Sequence, residues 1–427
     1  FTLSRSVVST NDIEAVINNV EQQPNTAYTV SGTTITFTSA PSAGTSNIYV
    51  RYLSTTTQSI TPSQNTVSYS TLNSDNQSKL GISFKNRIIN GAMVISQRNG
   101  TSSVTTGDGT YVLDRWFTNQ SQASKLTVQQ NAGSVTPPAG FPNYLGITVA
   151  ATATIGSTDY FNLAQNIEGF NTADLGFGTS SAKTITLSAW VYSSTTGTFG
   201  GAVRNSAANR SYPFTYTISA ANTWTQISVT IPGDTSGTWV GATNGIGLSV
   251  FFSFGVGSTY SATAGAWTSS SYIISATGAQ SIMGTVGNTF YLTGVQLEVG
   301  TQATTFDYRS IGTELALCQR YYSKSYSLGT VPGTSYDSSY AVPAFFIGTG
   351  NFGFVCGRPF AVAMRTAPTI TIYAANGTAG SLNPWNGAAV AVSDIRTTEN
   401  GITGGSYTGN TTVGLNYGFG YAASAEL

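Results

Sequence analysis

The chain has 427 residues, 47 of them glycine, with 40% hydrophobic and 12% aromatic residues but only 8% charged, against roughly 25% in ordinary globular chains. Seventeen Lys and Arg balance 17 Asp and Glu, so a zero net charge argues against electrostatic capture of nucleic acid or of an anionic membrane. There is no histidine, which removes the commonest general base and metal ligand.

No apolar run is long enough for a membrane span, and no signal peptide is visible. Cys318 and Cys356 are too few for a disulfide framework and lack zinc spacing. Each reads as a small buried hydrophobe. Phe1 already sits inside a strand-like pattern, so a segment upstream of it is expected. Short apolar alternations separated by Gly, Ser, Asn and Thr clusters predict an all-β protein of two to four domains.

Residues 1–55 read as a small β module. Tyr28–Val30 and Thr34–Phe37 flank Ser31-Gly32, a hairpin signal, and Ile48–Tyr52 closes the module. It buries too little surface to stand alone comfortably, so a copy of itself or a partner is expected against it. On Val20-Glu-Gln-Gln-Pro24, Ala27–Val30, Thr34–Phe37 and Ala40-Pro41 it resembles a short β module of phage tail fibres. Asn18-Asn19 stands where that pattern usually has Asn-Gly, and Asn also tolerates positive φ. Residues 56–84 are polar and lack heptads, and read as a linker or stalk.

Residues 85–309 read as one large domain. Candidate strands are Leu145–Val149, Tyr160–Ile167, Thr184–Val191, Thr198–Val203, Phe214–Ile218, Thr225–Ile231, Gly247–Phe254 and Thr289–Val299. Strands at this spacing predict a two-sheet jelly roll. In the last of them Gly294 allows a bulge. Leu113-Asp-Arg-Trp116, Gln165-Asn-Ile-Glu168, Leu187-Ser-Ala-Trp190, Trp224, Gly237-Thr-Trp239, Thr293–Gly300 and Ala303–Phe306 form an ordered set. With an opening at Asn86–Arg98 and a close at Cys318–Tyr322, the set resembles a recurrent domain of phage tail fibres and minor tail proteins. That domain is similar to carbohydrate-binding-module jelly rolls.

From Ser310 the pattern becomes helical. Leu315, Cys318, Tyr321 and Tyr322 share one face, Ser310 is the N-cap and Glu314 lies in the first turn. This short helix is read as a hinge between the body and a terminal β-sandwich knob, residues 310–427. Strands are expected at Ala341–Gly348, Phe352–Cys356, Phe360–Met364 and Thr369–Tyr373. Sparse charge and abundant glycine fit close packing between identical chains, and a homotrimer is expected.

Glycoside cleavage needs two carboxylates about 5 to 10 Å apart. Asp108, Asp114, Asp159, Glu168, Asp174, Asp234, Glu298 and Asp307 form no such pair by spacing. Glu168 and Glu298 read as partners of Arg115, Arg309 or backbone groups. Nucleophile elbows, P-loops and β-helix repeats are not found, and the chain is read as not an enzyme. The resemblance allows a structural calcium on Asp114, Glu168, Glu298 and Asp307, with salt bridges to Arg115 and Arg309 the favoured alternative and no other cofactor implied.

Sugar binding fits the composition: aromatic faces stack on pyranose rings, and amides and hydroxyls bond their hydroxyls. Trp239, Tyr260, Trp267, Tyr272, Tyr373, Trp385 and Tyr407 lie in Gly/Ser/Thr-rich segments read as loops. Trp116, Trp190 and Trp224 read as core. Arg204, Arg210 and Tyr212 form a polar–aromatic cluster. The resemblance implies a virion-borne tail fibre that attaches to a host-surface glycan by multivalent, non-catalytic binding. Its N-terminal side would meet other tail proteins. A purely structural virion component and a glycan-degrading tailspike are the alternatives.

Overall fold

The computed structural model describes residues 1–53, 85–336, 342–346, 353–384, 389–408 and 416–427. The protein is all-β, and the chain divides into two compact units, described over 1–53 and from 85 onward.

The first unit holds β1 (Thr2–Val7), β2 (Ile13–Ile17), β3 (Val20–Gln22), β4 (Tyr28–Phe37) and β5 (Ile48–Tyr52). β1 pairs with β4, and β2 lies between β3 and β5. Leu3, Ile13, Ala15, Tyr28 and Ile35 make its core. Asn18 and Asn19, at φ 49° and 64°, turn β2 into β3 with Ile17 opposite Val20. A two-residue turn with both residues at positive φ matches strand twist. The hairpin expected at Ser31-Gly32 is not there: β4 runs straight through. Thr2 faces Thr34 while Val7 faces Gly32, so the Gly signal marks a bulge, not a reversal.

The second unit opens with a jelly roll of two six-stranded sheets. Its strands are β6 (Val104–Thr105), β7 (Thr110–Leu113), β8 (Trp116–Gln120), β9 (Leu126–Gln130), β10 (Leu145–Val149), β11 (Tyr160–Glu168), β12 (Ile185–Ser193), β13 (Gly197–Arg204), β14 (Ser211–Ile218), β15 (Thr225–Ile231), β16 (Ile246–Val256), β17 (Ser261–Ala262), β18 (Ser275–Ala276) and β19 (Thr289–Val299). One sheet runs β15-β12-β19-β10-β9-β6, the other β14-β13-β16-β11-β8-β7, and β17 pairs with β18 alone. Trp116, Leu163, Phe199, Phe252, Phe290 and Leu292 are among the residues packed between the sheets.

A sandwich strand normally alternates buried and exposed. β11, β16 and β19 are instead buried on both faces nearly throughout. A further layer covers their outer faces. The segment 86–93 runs alongside the second half of β19, beyond the end of β10, with Arg87 N donating to Leu297 O and Val295 N to Gly91 O. On the outer face Glu298 accepts from Thr304 N and Gln296 from Asp307 N. Gly91 is required there, because a methyl would overlap the carbonyl of Val295. Gly294, at φ 62°, makes the bulge that the alternation predicts.

Helix α1 (Ile311–Gln319) follows, with the Ser310 hydroxyl accepting from Thr313 N. Cys318 and Tyr321 are buried against Ile89 and Ile95. The C-terminal β domain comprises β20 (Tyr322–Lys324), β21 (Val342–Phe346), β22 (Gly353–Pro359), β23 (Thr369–Tyr373), β24 (Ser381–Pro384), β25 (Val390–Thr398), β26 (Gly401–Thr408) and β27 (Asn416–Ser424). The first half of β27 pairs with β21 and its second half with β20 and β23. Rather than a free hinge, the junction is a tied one. Lys324 Nζ donates to the carbonyls of Gln97, Leu328 and Thr330 at 2.6, 2.8 and 2.6 Å. Glu426 pairs with Arg98 and Arg115 of the jelly roll.

Candidate functional site

The outer face of the second jelly-roll sheet is where a site forms. Strand alternation brings Asn119 of β8 opposite Asn162 of β11. Phe117, Ala164, Phe251 and Ala202 sit side by side across β8, β11, β16 and β13. With Ile274 they form an apolar floor distinct from the main core. The segment between β16 and β19 folds back over this face. Ser275 and Ser253 share a hydroxyl hydrogen bond of 2.8 Å, and Ile274 N donates to Tyr260 O at 2.9 Å. Between floor and segment lies a cleft of about 450 Å³, lined by Asp108, Asn119, Tyr160, Asn162, Arg204, Phe251, Tyr260, Tyr272 and Ile274.

Its polar groups are only partly satisfied. Asp108 accepts from Gln120 N at 2.9 Å. Asn119 Nδ2 donates to Asn162 Oδ1 at 3.0 Å. That leaves Asn162 Nδ2 buried with no partner, and Arg204 Nε is in the same state. The Arg204 guanidinium lies 4.6 Å from the centre of the Phe251 ring. Burial lowers its pKa to about 10, opposed by the nearby Tyr272, so it stays charged at neutral pH. The Tyr160 and Tyr260 rings meet edge to face at 5.5 Å. Tyr272 is 60% exposed on the rim, at φ 60°, tied by its N–H to Ala208 O. Flat apolar walls with unsatisfied donors suit a ligand of ring faces and oxygen acceptors.

Of the aromatics singled out in the sequence, the fold brings Tyr260 and Tyr272 together here. Trp239 and Trp267 are half-buried elsewhere, edge to face at 5.5 Å, each also against Phe177. Their indole N–H groups donate to Ser236 O and Pro232 O. Tyr373 and Tyr407 are not in loops: they lie in β23 and β26, and Tyr407 is 1% exposed in the C-terminal core. Trp385 falls outside the described residues. The predicted Arg204–Arg210–Tyr212 cluster comes apart, because Arg210 pairs with Asp234 and Tyr212 packs between the sheets. Asn119, Tyr160, Asn162, Phe251 and Ile274 carried no flag in the sequence. The one available signal was an amide inside an apolar run, as in Phe161-Asn-Leu163.

The four carboxylates weighed for calcium do not converge, and no group of three or more acidic or Cys side chains gathers among the described residues. Asp114 accepts from the backbone and side-chain N–H of Gln97, both at 2.6 Å. Burial pushes its pKa up to about 6. Glu298 accepts from Thr304 N and Oγ1 at 2.8 and 2.6 Å. Asp307 lies 3.8 Å from Arg309. Arg115 is not the partner of Glu168: it pairs with Glu426, and Glu168 holds Arg320 and Tyr321. Of the remaining acids, Asp174 pairs with Arg87 and Asp159 accepts from Ser121 and Gln122. No helix among the described residues is long and apolar enough to cross a membrane.

No family model and no curated protein matches the chain. Among solved structures it is similar to the enzymatically active domain of tailspike protein 4 of bacteriophage CBA120, at 13% identity and TM-score 0.29. That match covers 51% of this chain and 22% of the tailspike chain, about a fifth of its length. A putative sugar-binding protein from Bacteroides thetaiotaomicron matches at 10% identity and TM-score 0.29, covering 50% of this chain and 100% of its own. A family 11 carbohydrate-binding module from Clostridium thermocellum, in complex with a mixed-linked tetrasaccharide, matches at 10% and 0.25, covering 48% and 99%.

Proposed function

We propose that this protein binds a glycan in the cleft over Phe251, without cleaving it, as a phage tail fibre that attaches the virion to its host. The observation that carries the reading is the pairing of an aromatic-walled cleft with two donors, Asn162 Nδ2 and Arg204 Nε, that have no partner in the protein. Buried donors left unmade are costly, so a ligand that satisfies them gains affinity. Tyr160, Tyr260 and Tyr272 supply faces for pyranose rings. The lining holds one carboxylate, Asp108, where hydrolysis would need two.

The tail-fibre part rests on the ordered sequence motifs and the neutral, hydroxyl-rich composition. The homotrimer rests on the glycine-rich, charge-poor chain and on the small first unit, which leaves Phe1, Val8, Val20, Tyr49 and Leu53 exposed. Several sites per particle turn weak sugar binding into firm attachment. The test is incubation of purified protein with intact bacteria on which the parent particle grows. The reading requires specific binding that blocks infection, no released glycan fragments and a trimer by light scattering. A protein that binds no susceptible strain is a structural virion component, and fragment release makes it a tailspike enzyme.

A further inference from the structure

Arg204 is the cation of the cleft that no acid answers. Among the described residues, 11 ion pairs involve other side chains, and none includes Arg204. Its neighbour Arg210, six residues on, donates two hydrogen bonds of 2.7 and 2.6 Å to Asp234. The contrast matters because a partly buried guanidinium stripped of water is unfavourable unless something pairs with it.

Asp108 does not fill that role. It belongs to the loop before β7, at the β8 side of the cleft, where it caps Gln120 N. Arg204 stands on β13, three strand steps from β8 in the order β13-β16-β11-β8, or about 14 Å at normal spacing. The cleft is therefore polarised, with a guanidinium at one end, a carboxylate at the other and amides between. Phe251 holds the guanidinium from one side, and Arg204 lines the cleft beside it.

From this geometry, and resting on the reading of the cleft as a glycan site, we infer that the glycan is acidic, with a uronate-type carboxylate paired to Arg204. A planar carboxylate matches the guanidinium fork and adds a charge-assisted bond. At the Asp108 end the sugar offers hydroxyl donors. Asn162 Nδ2 donates to a ring or hydroxyl oxygen between them.

The test uses the full chain and an array of purified bacterial capsular and lipopolysaccharide glycans. Each acidic polysaccharide is placed beside its carboxyl-reduced form, and sulfated and phosphorylated glycans are included. Wild type is expected to favour carboxylates over their reduced forms by about tenfold or more, the scale of one charge-assisted bond. Arg204→Gln removes the preference, and Arg204→Lys, which keeps charge but not the fork, restores part of it. Arg204→Gln gives up the Phe251 ring contact but no ion pair, so the melting temperature changes little. Equal binding of reduced and acidic forms, equal weakening of both by Arg204→Gln, or a preference confined to sulfate or phosphate esters overturns the inference and leaves the glycan reading standing. If wild type binds no glycan on the array, the glycan reading falls and this inference falls with it.

Discussion

Arg320, at the end of α1, grips Glu168 of β11 through two hydrogen bonds of 2.9 and 2.5 Å. The Tyr321 hydroxyl donates to the same carboxylate at 2.6 Å. Glu168 is 1% exposed, so this contact fixes the C-terminal β domain to the strand that also carries Asn162. Glu168→Ala leaves a phenol and a guanidinium without their acceptor. Arg320 is one-third exposed and regains water, so we expect a loss of about 2–4 kcal/mol, short of a fully buried pair. Denaturant titration checks it.

Two carboxylates set opposite slopes in stability against pH. Burial pushes the Asp114 pKa up to about 6 despite Arg98 and Gln97. Between its ordinary value, about 4, and 6 the folded chain holds that proton and the unfolded chain does not, so stability rises as pH falls from 7 to 5. For Glu168, burial alone would raise the pKa, but Arg320 and Tyr321 outweigh it and the value is lowered. Its contribution is present above the ordinary value and is lost as pH falls through the lower folded one. Asp114→Asn should abolish the gain between pH 7 and 5 and keep the loss below 4, read as melting temperature across that range.

The aromatic variants separate binding from packing. Tyr260→Ala and Tyr272→Ala remove cleft walls, and each should weaken glycan binding by about tenfold, with little change in melting for exposed Tyr272 and a modest loss for Tyr260, which packs on Tyr160. Trp239→Ala opens the cluster with Phe177 and Trp267. It should cost about 1–3 kcal/mol, less than a fully buried aromatic, and leave the per-molecule affinity unchanged. Calorimetry on one glycan, beside thermal melts, distinguishes the two classes.

Gly91 lies against the carbonyl of Val295, so Gly91→Ala forces the 86–93 segment off β19. We expect a loss of about 2 kcal/mol or more. A stable Gly91→Ala protein with an unchanged unfolding midpoint would mean that this flanking segment is not held as described.

The β framework is legible in the sequence where one principle dominates. β10, β15 and β19 have the bounds that alternation predicts, and α1 starts at the Ser310 cap. At Ser31-Gly32 the same glycine chemistry serves a hairpin or a bulge, and only pairing with β1 decides. The cleft was hidden for a different reason. Asn119, Asn162, Arg204 and Phe251 come from four strands far apart in sequence and meet only through sheet order. The conspicuous motifs proved to be fastenings: Asn90 bonds Ile95 and Asp114 O, and Gln165 bonds both backbone groups of Ile89. Trp267 stood out by its loop-like surroundings, yet packing on Phe177 and Tyr212 accounts for it.

The most direct measurement is binding of Asn119→Trp to host cells beside wild type. Asn119 is half-buried on the cleft floor, and an indole there fills the space over Phe251. The account predicts that cell and glycan binding are lost while the oligomeric state is kept and the melting temperature falls only modestly, from the lost Asn119–Asn162 hydrogen bond. Undiminished binding by a folded Asn119→Trp protein would contradict it and place the receptor site elsewhere on the chain.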